Sequence, residues 1–516
     1  MLIKNKQSSR FSKIGNLLIL LMINILSSSC EKLAKENDGE ALAKIYCVSC
    51  HSFTEPSLAD KKTWLNEILP GMGPRLGMVH YKGTNFPSIA TKAIVKDLYP
   101  NSPVMAQKDW EKIVEYFVKN APENLNNRKP SVPIVVTDRF FTTVYPDFDK
   151  NTQPTTSCVK FDQASRRVFC AESVLPKVNI YDSNFKLQKS IKINNIATDI
   201  IPVGEGMVVL IMGTLEPFDL KSGQLQWFSD MNQARPLLLA SNLNRPVNVN
   251  SADLDQDGKT DYVVCGFGHL SGSLFWLQNK GGNKYVQNEL RSFPGAMKTV
   301  IGDFNKDGLN DIAALMAQGD EGVFIYLNQG NQKFTEKALI RFPPIYGSTS
   351  FEFHDFNNDG QLDLIYTSGD NADYSQILKP YHGVYIFIND GQWNFNQRFF
   401  YPINGCSKAI ARDFDLDGDL DIATISFFAD YQSRPTESFV FLKNNGGLNF
   451  ESSTVPSHVD GRWLTMDSGD YDSDGDEDII LGNMSIGPSS LNGKRDWKTK
   501  SPFIVLKNKT IDKNDK

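Results

Sequence analysis

The chain of 516 residues has no basic tract: 54 Lys and Arg stand against 60 Asp and Glu, for a formal net charge of −6. The electrostatic footprint of a nucleic-acid binder is therefore missing. No apolar run after the first thirty residues is long enough to span a membrane. No convincing motif for a flavin, nicotinamide or quinone cofactor is present, and no catalytic residue is assigned. Cysteine and histidine are scarce, at seven and six. That scarcity makes one run informative, Cys47-Val48-Ser49-Cys50-His51.

A C-x-x-C-H run is the attachment signal for c-type haem. Two thiols add across the vinyl groups and the adjacent imidazole ligates iron, so all three must share one short turn. A zinc knuckle would need further Cys or His nearby, and only His80 lies within reach in sequence. The reading is one covalent haem held by Cys47 and Cys50, with His51 as proximal ligand. The first residues agree with export. Lys4, Lys6, Arg10 and Lys13 precede the apolar run Ile14 to Leu26, then Ser27-Ser28-Ser29-Cys30. This is a signal-peptide pattern over 1–29. It resembles the lipobox of Bacteroidota lipoproteins, although Leu26 stands one place further from the cysteine than usual. The resemblance implies lipidation of Cys30, a tether over 30–38, and anchorage in the bacterial envelope, at the periplasmic or surface face of the outer membrane.

Residues 39–122 read as a small helical domain. Leu42, Ile45 and Tyr46 give an apolar face to a helix entering Cys47, and Trp110, Ile113, Val114 and Phe117 follow the i, i+3, i+4, i+7 pattern. Two helices flanking C-x-x-C-H resemble a class I cytochrome c domain, which implies that the first and last helices cross and that a Met is the sixth ligand. Met72, in Leu69-Pro70-Gly71-Met72-Gly73-Pro74, resembles a recurring segment of haem domains fused to FG-GAP propellers and ranks first. Met105 ranks second, and Met78 or His80 third.

Residues 123–135 form a linker rich in Asn and Pro. Beyond it, apolar runs alternate with Gly, Asn and Asp turns, an all-β signal. Five acidic loops recur with a period of roughly fifty residues. Their repeated positions are Asp253, Asp255, Asp257 and Asp261; Asp303, Asn305, Asp307 and Asp311; Asp355, Asn357, Asp359 and Asp363; Asp413, Asp415, Asp417 and Asp421; and Asp470, Asp472, Asp474 and Asp478. A Gly follows the third acidic position in every copy. Alternating oxygen side chains around a Gly turn supply ligands for Ca2+. An EF-hand would add a Glu at position twelve and flanking helices. Here β runs such as Ile312-Ala313-Ala314 follow at once. The pattern resembles the calcium loops of FG-GAP (integrin α-type, VCBS-repeat) propeller blades, which implies up to five structural Ca2+ ions.

Five loops give five blades. Cys158 to Tyr181 and Ile196 to Ile211 read as two more without the loop, so 136–510 is expected to close as a seven-bladed propeller. The terminal run Phe503 to Leu506 is expected to complete the last blade. Cys158 and Cys170 flank a hairpin turn at Gln163-Ala164-Ser165 and are candidates for a cross-strand disulfide. The whole resembles exported fusions of a cytochrome c domain to such a propeller. That implies an electron-transfer protein whose propeller docks a redox partner protein, or a glycan or protein ligand. Two alternatives stand beside it: an oxidoreductase passing substrate electrons to the haem, and an adhesion or binding lipoprotein.

Overall fold

The structure, a computed structural model, describes residues 38–511 apart from 79, 82–83, 86–99, 101, 127, 131, 215–218, 233–234, 372–376, 487–496 and 498–499. The expected signal peptide and Cys30 lie outside these residues. The chain divides between Asn124 and Leu125 into two compact units. No helix among the described residues is long and apolar enough to cross a membrane.

The first unit is helical. Helix α1 spans Asp38–Tyr46 and α2 spans Gln107–Asn120. Helix α2 buries Trp110, Ile113, Val114 and Phe117, the stripe its spacing predicts. Helix α1 differs from expectation. It buries Gly39 and Ala43, whereas Ile45 is 64% exposed. The reason is close approach: a Cβ on Gly39 would meet the Lys112 carbonyl at 2.4 Å and Tyr116 Cβ at 2.8 Å. Only a residue without a side chain lets the helices cross there. Lys112 also pairs with Asp38 at 2.5 Å. Between the two helices the chain winds through Lys61–Thr63, Trp64–Ile68, Leu69–Met72 and Gly73–Leu76. Pro70 has no amide hydrogen, and the run widens just before it, the Leu69 amide donating five residues back to the Trp64 carbonyl. Trp64 packs on Phe117 with ring centroids 4.3 Å apart.

The second unit is a seven-bladed β-propeller. Blade 1 comprises Thr156–Asp162, Arg167–Glu172, Lys177–Tyr181 and Leu187–Lys192; blade 2 runs from Ala197–Val203 to Leu237–Leu243. Blades 3 to 6 begin at Pro246–Ala252, Ala296–Gly302, Ser348–His354 and Cys406–Arg412, and blade 7 at Trp463–Gly469. Each is an antiparallel meander. The second strand of blades 2 to 7 is buried throughout, as in Gly206–Ile211 and Asp311–Met316, whereas the fourth strand of blade 1, Leu187–Lys192, is exposed at all but one position.

The core sits between blades rather than at one centre. In blade 3, Tyr262 and Val264 join a cluster with blade 2, while Val263 and Cys265 join one with blade 4. Successive strand residues point to opposite sheet faces, so a run with no polar break can serve both neighbours. Seven such clusters, one per junction, include one in which Val159, Val168 and Tyr181 of blade 1 meet Ile480, Phe503 and Val505 of blade 7. The circle is therefore closed.

Two expectations are corrected. Phe503–Asn508 is the third strand of blade 7, and the fourth is Phe141–Val144, from the other end of the unit. Closing the ring with a distant strand removes the exposed edge that a terminal strand would leave. Val135–Val136 adds in parallel to blade 6. Cys158 and Cys170 form no disulfide. Cys158 lies opposite Ala171 and Cys170 opposite Val159. That one-residue offset sends the two thiols to opposite faces, into the junctions with blades 2 and 7.

Candidate functional site

Helix α1 leads into the C-x-x-C-H turn without a break. The Cys47 amide donates to the Ala43 carbonyl at 2.8 Å, and the Ser49 hydroxyl to the Tyr46 carbonyl at 2.7 Å. Both thiols are free; Cys50 is exposed and Cys47 partly so. Burial, helped by Cys50, pushes the Cys47 thiol up to about 11. His51 Nδ1 lies 2.7 Å from the Ser52 carbonyl. A carbonyl can only accept, so Nδ1 carries a hydrogen here, the arrangement that suits metal ligation through Nε2. Next to the thiols, Val48 is 45% exposed. Of the candidate sixth ligands, Met105 and Met78 are buried, at 7% and 2% exposure, and Met72 is half-buried. The His80 carbonyl accepts from Gln107 Nε2 at 3.2 Å.

All five acidic loops join the first strand of a blade to the second, in blades 3 to 7. They share one hydrogen-bond scheme. The first Asp accepts the amides of the fifth and sixth residues, as Asp303 does from Asp307 and Gly308 at 3.0 and 2.9 Å. The sixth residue is always Gly, at φ 77 to 106° in Gly258, Gly308, Gly360, Gly418 and Gly475. No other residue adopts that backbone cheaply, although a side chain would have room at the first four. The ninth residue opens the second strand with its carboxylate buried. Asp311 accepts the Phe304 amide at 3.0 Å and the Asn328 amide at 2.7 Å, tying the loop to the third strand.

These ties leave an oxygen-only donor set around each turn. Carboxylate oxygens of Asp253, Asp255 and Asp261 all lie within 4.8 Å of one another, as do those of Asp413, Asp415 and Asp417 and those of Asp470, Asp472 and Asp478. Asp255 Oδ1 and Asp415 Oδ1 are buried without a hydrogen-bond partner. Burial pushes Asp261 up to about 6, Asp421 to about 7 and Asp478 to about 8, against amide hydrogen bonds and with neighbouring carboxylates adding to the rise. Carboxylates this close repel one another, and a hard divalent ion such as Ca2+ suits such an oxygen set. Asn305 and Asn357 offer their oxygens at the matching position of blades 4 and 5, each now held by the Asp307 or Asp359 amide at 3.1 Å.

One recurring residue is absent from the motif. Asn279, Asn328, Asn389, Asn444 and Asn508 end the third strands, and each donates its amide to the ninth-position Asp. The signal was present in the sequence, because an Asn follows the apolar run after each of the five loops, but its role needs the third strand laid beside the loop. Of the remaining histidines, His382 and His458 are buried, and His354, which precedes Asp355 and lies opposite Asp363, is 3.0 Å from Glu352.

The FG-GAP-like repeat family matches residues 253–314 and 303–366, which span the loops of blades 3, 4 and 5. The chain is thus a seven-bladed β-propeller carrying FG-GAP-like repeats, joined to a small helical unit. No curated protein matches it. Among solved structures it is similar to the N-terminal domain of Nup159, at 10% identity and TM-score 0.44 over 74% of this chain and 98% of that one. It is similar also to the Pan2 WD40 domain of Neurospora crassa, at 11% identity and TM-score 0.44 over 72% and 97%. Likeness at this level says nothing of what the chain does.

Proposed function

We propose that the protein is an exported, lipid-anchored c-type haem protein that carries single electrons, with a calcium-stabilised propeller that docks its partner. The turn at Cys47–His51 is the observation that carries this reading. Its two thiols are free and its imidazole tautomer is set by Ser52. Helix α1, which presents it, crosses α2 as the first and last helices of a class I cytochrome c domain would. Bound haem supplies a one-electron iron couple. Cys47 and Cys50 would hold the haem as thioethers, and the Nδ1 hydrogen bond would orient His51 and raise the basicity of Nε2. Met72 or Met105 would supply the remaining ligand, which would exclude water and raise the potential relative to a second His.

In the propeller, the Asp and Asn oxygens of the five loops would hold Ca2+, and the ion would offset their mutual repulsion. The match to FG-GAP-like repeats supports a binding role for blades 3 to 5. Rigid blades with variable loops suit recognition. The enzyme alternative gains no support from the first strands of the blades, where carboxylates are already paired. Lys160 lies 3.7 Å from Asp199, and Glu352 lies 3.5 Å from Lys298 and 3.2 Å from Arg412.

The test is a visible spectrum of the full chain matured in a host that attaches c-type haem, then anaerobic mixing with cell-extract fractions. A covalent haem spectrum reduced only by a protein fraction is the expected result. Reduction by a small-molecule fraction would replace the carrier with an oxidoreductase. No covalent haem would sink the reading.

A further inference from the structure

Five copies of one loop in one chain form an internal comparison. The third loop position is Asp in blades 3, 6 and 7 and Asn in blades 4 and 5. The third-strand residue just before the terminal Asn changes with it. Gln278, Lys443 and Lys507 accompany Asp255, Asp415 and Asp472, and each donates to its partner. Leu327 and Ile388 accompany Asn305 and Asn357. The physical reason is charge. A sheltered carboxylate against the third strand needs a donor, and a neutral amide can lie beside an apolar side chain.

The lysines reach further than the glutamine. Lys443 Nζ also lies 3.1 Å from Asp417, and Lys507 Nζ lies 3.7 Å from Asp474, whose side chain is fully buried. Each ammonium therefore touches two of the oxygen-bearing positions that would surround an ion. In blade 3 the lysine at the loop is Lys259, 43% exposed, and it meets Asp257 from the solvent side. Blades 6 and 7 are also where the ring is closed, by Val135–Val136 and Phe141–Val144.

We infer that Lys443 and Lys507 are built-in cations, so that the loops of blades 6 and 7 keep their form without metal and bind Ca2+ more weakly than those of blades 3, 4 and 5. The inference rests on the calcium reading above. It divides the propeller into a calcium-dependent arc, blades 3 to 5, and a metal-independent arc that holds the closure. A divalent ion entering blade 6 or 7 must displace an ammonium from two carboxylates, whereas in blades 4 and 5 it displaces only the neutral amide that Asn305 donates to Asp307, or Asn357 to Asp359, at 2.8 and 2.9 Å beside an apolar wall.

Calorimetric titration of the metal-stripped full chain with CaCl2 tests this. The expected isotherm has three tighter sites and two weaker ones. K443Q and K507Q each make one weak site about fivefold tighter, the scale of a partly exposed ion pair, and lower the melting temperature in EDTA but not in excess calcium. K443R leaves both readouts unchanged, and L327K turns one tight site weak. Five equivalent sites with an unmoved K443Q titration would overturn the inference and leave the calcium reading standing. No calcium binding by the unaltered chain would overturn both.

Discussion

The helical unit and the propeller solve the burial problem in opposite ways. The propeller repeats one meander seven times and places a core at each junction, so its stability is spread over many equivalent contacts. The helical unit has one small core around Trp64, Trp110 and Phe117, and its first helix contributes little more than Gly39 and Ala43 to it. A domain that small buries a smaller share of its surface, so a covalent or metal constraint adds proportionally more to it. Haem would be that constraint for the helical unit, as Ca2+ would be for the acidic loops. The difference teaches where each cofactor should matter: haem loss for one unit, ion loss for the other.

The largest expected effect separates the two units outright. C47S/C50S removes both thioethers, so covalent haem is lost and the helical unit melts, while the propeller transition in calorimetry stays in place. A covalent haem spectrum retained by the double variant would break the assignment. Chelation should do the reverse. Each site saturated a hundredfold above its Kd contributes about 2.7 kcal/mol, so EDTA is expected to lower the propeller melting temperature and spare the haem spectrum. An unmoved propeller transition would remove calcium from the account.

Smaller effects probe the ring itself. Phe141, from the closing strand, is 2% exposed and sits with Phe414, Phe441 and Trp463 in the junction of blades 6 and 7. F141A is expected to cost about 3–5 kcal/mol in denaturant unfolding, more than a blade with a local fourth strand would suffer from one outer-strand truncation. A cost below 1 kcal/mol would show that the ring does not depend on its distant strand. A further effect is a pH slope. Glu321 is buried, its Oε2 lacks a hydrogen-bond partner, and burial pushes its carboxyl up to about 8. The folded state therefore holds a proton that the unfolded state gives up near its ordinary pKa of 4.5. Stability falls as pH rises from about 4.5 to about 8, and E321Q should flatten that slope. An identical pH profile for the variant would assign the slope elsewhere.

Much of this architecture is legible in the chain because it is written locally. The acidic loops are nine-residue motifs, and the Gly at position six is forced by the backbone within the loop. The buried second strands are short apolar runs, and the α2 stripe needs only the 3.6-residue period. The face of α1 was not legible from hydrophobicity, because its contact is decided by how near Lys112 comes to Gly39. The Cys158 and Cys170 thiols look paired along a hairpin, yet a one-residue offset in register parts them.

The sequence by itself determined the repeat, the number of blades, the oxygen donors of the loops and the C-x-x-C-H turn, since each depends on residues a few positions apart. Only the tertiary structure decided that Phe141–Val144 closes blade 7, that the third-strand Asn residues hold the ninth-position Asp, and that Lys443 and Lys507 enter the acidic loops. Those contacts join residues from 17 to more than 300 positions apart, and such partners are chosen by the closure of the ring and the burial it brings, which no local pattern encodes.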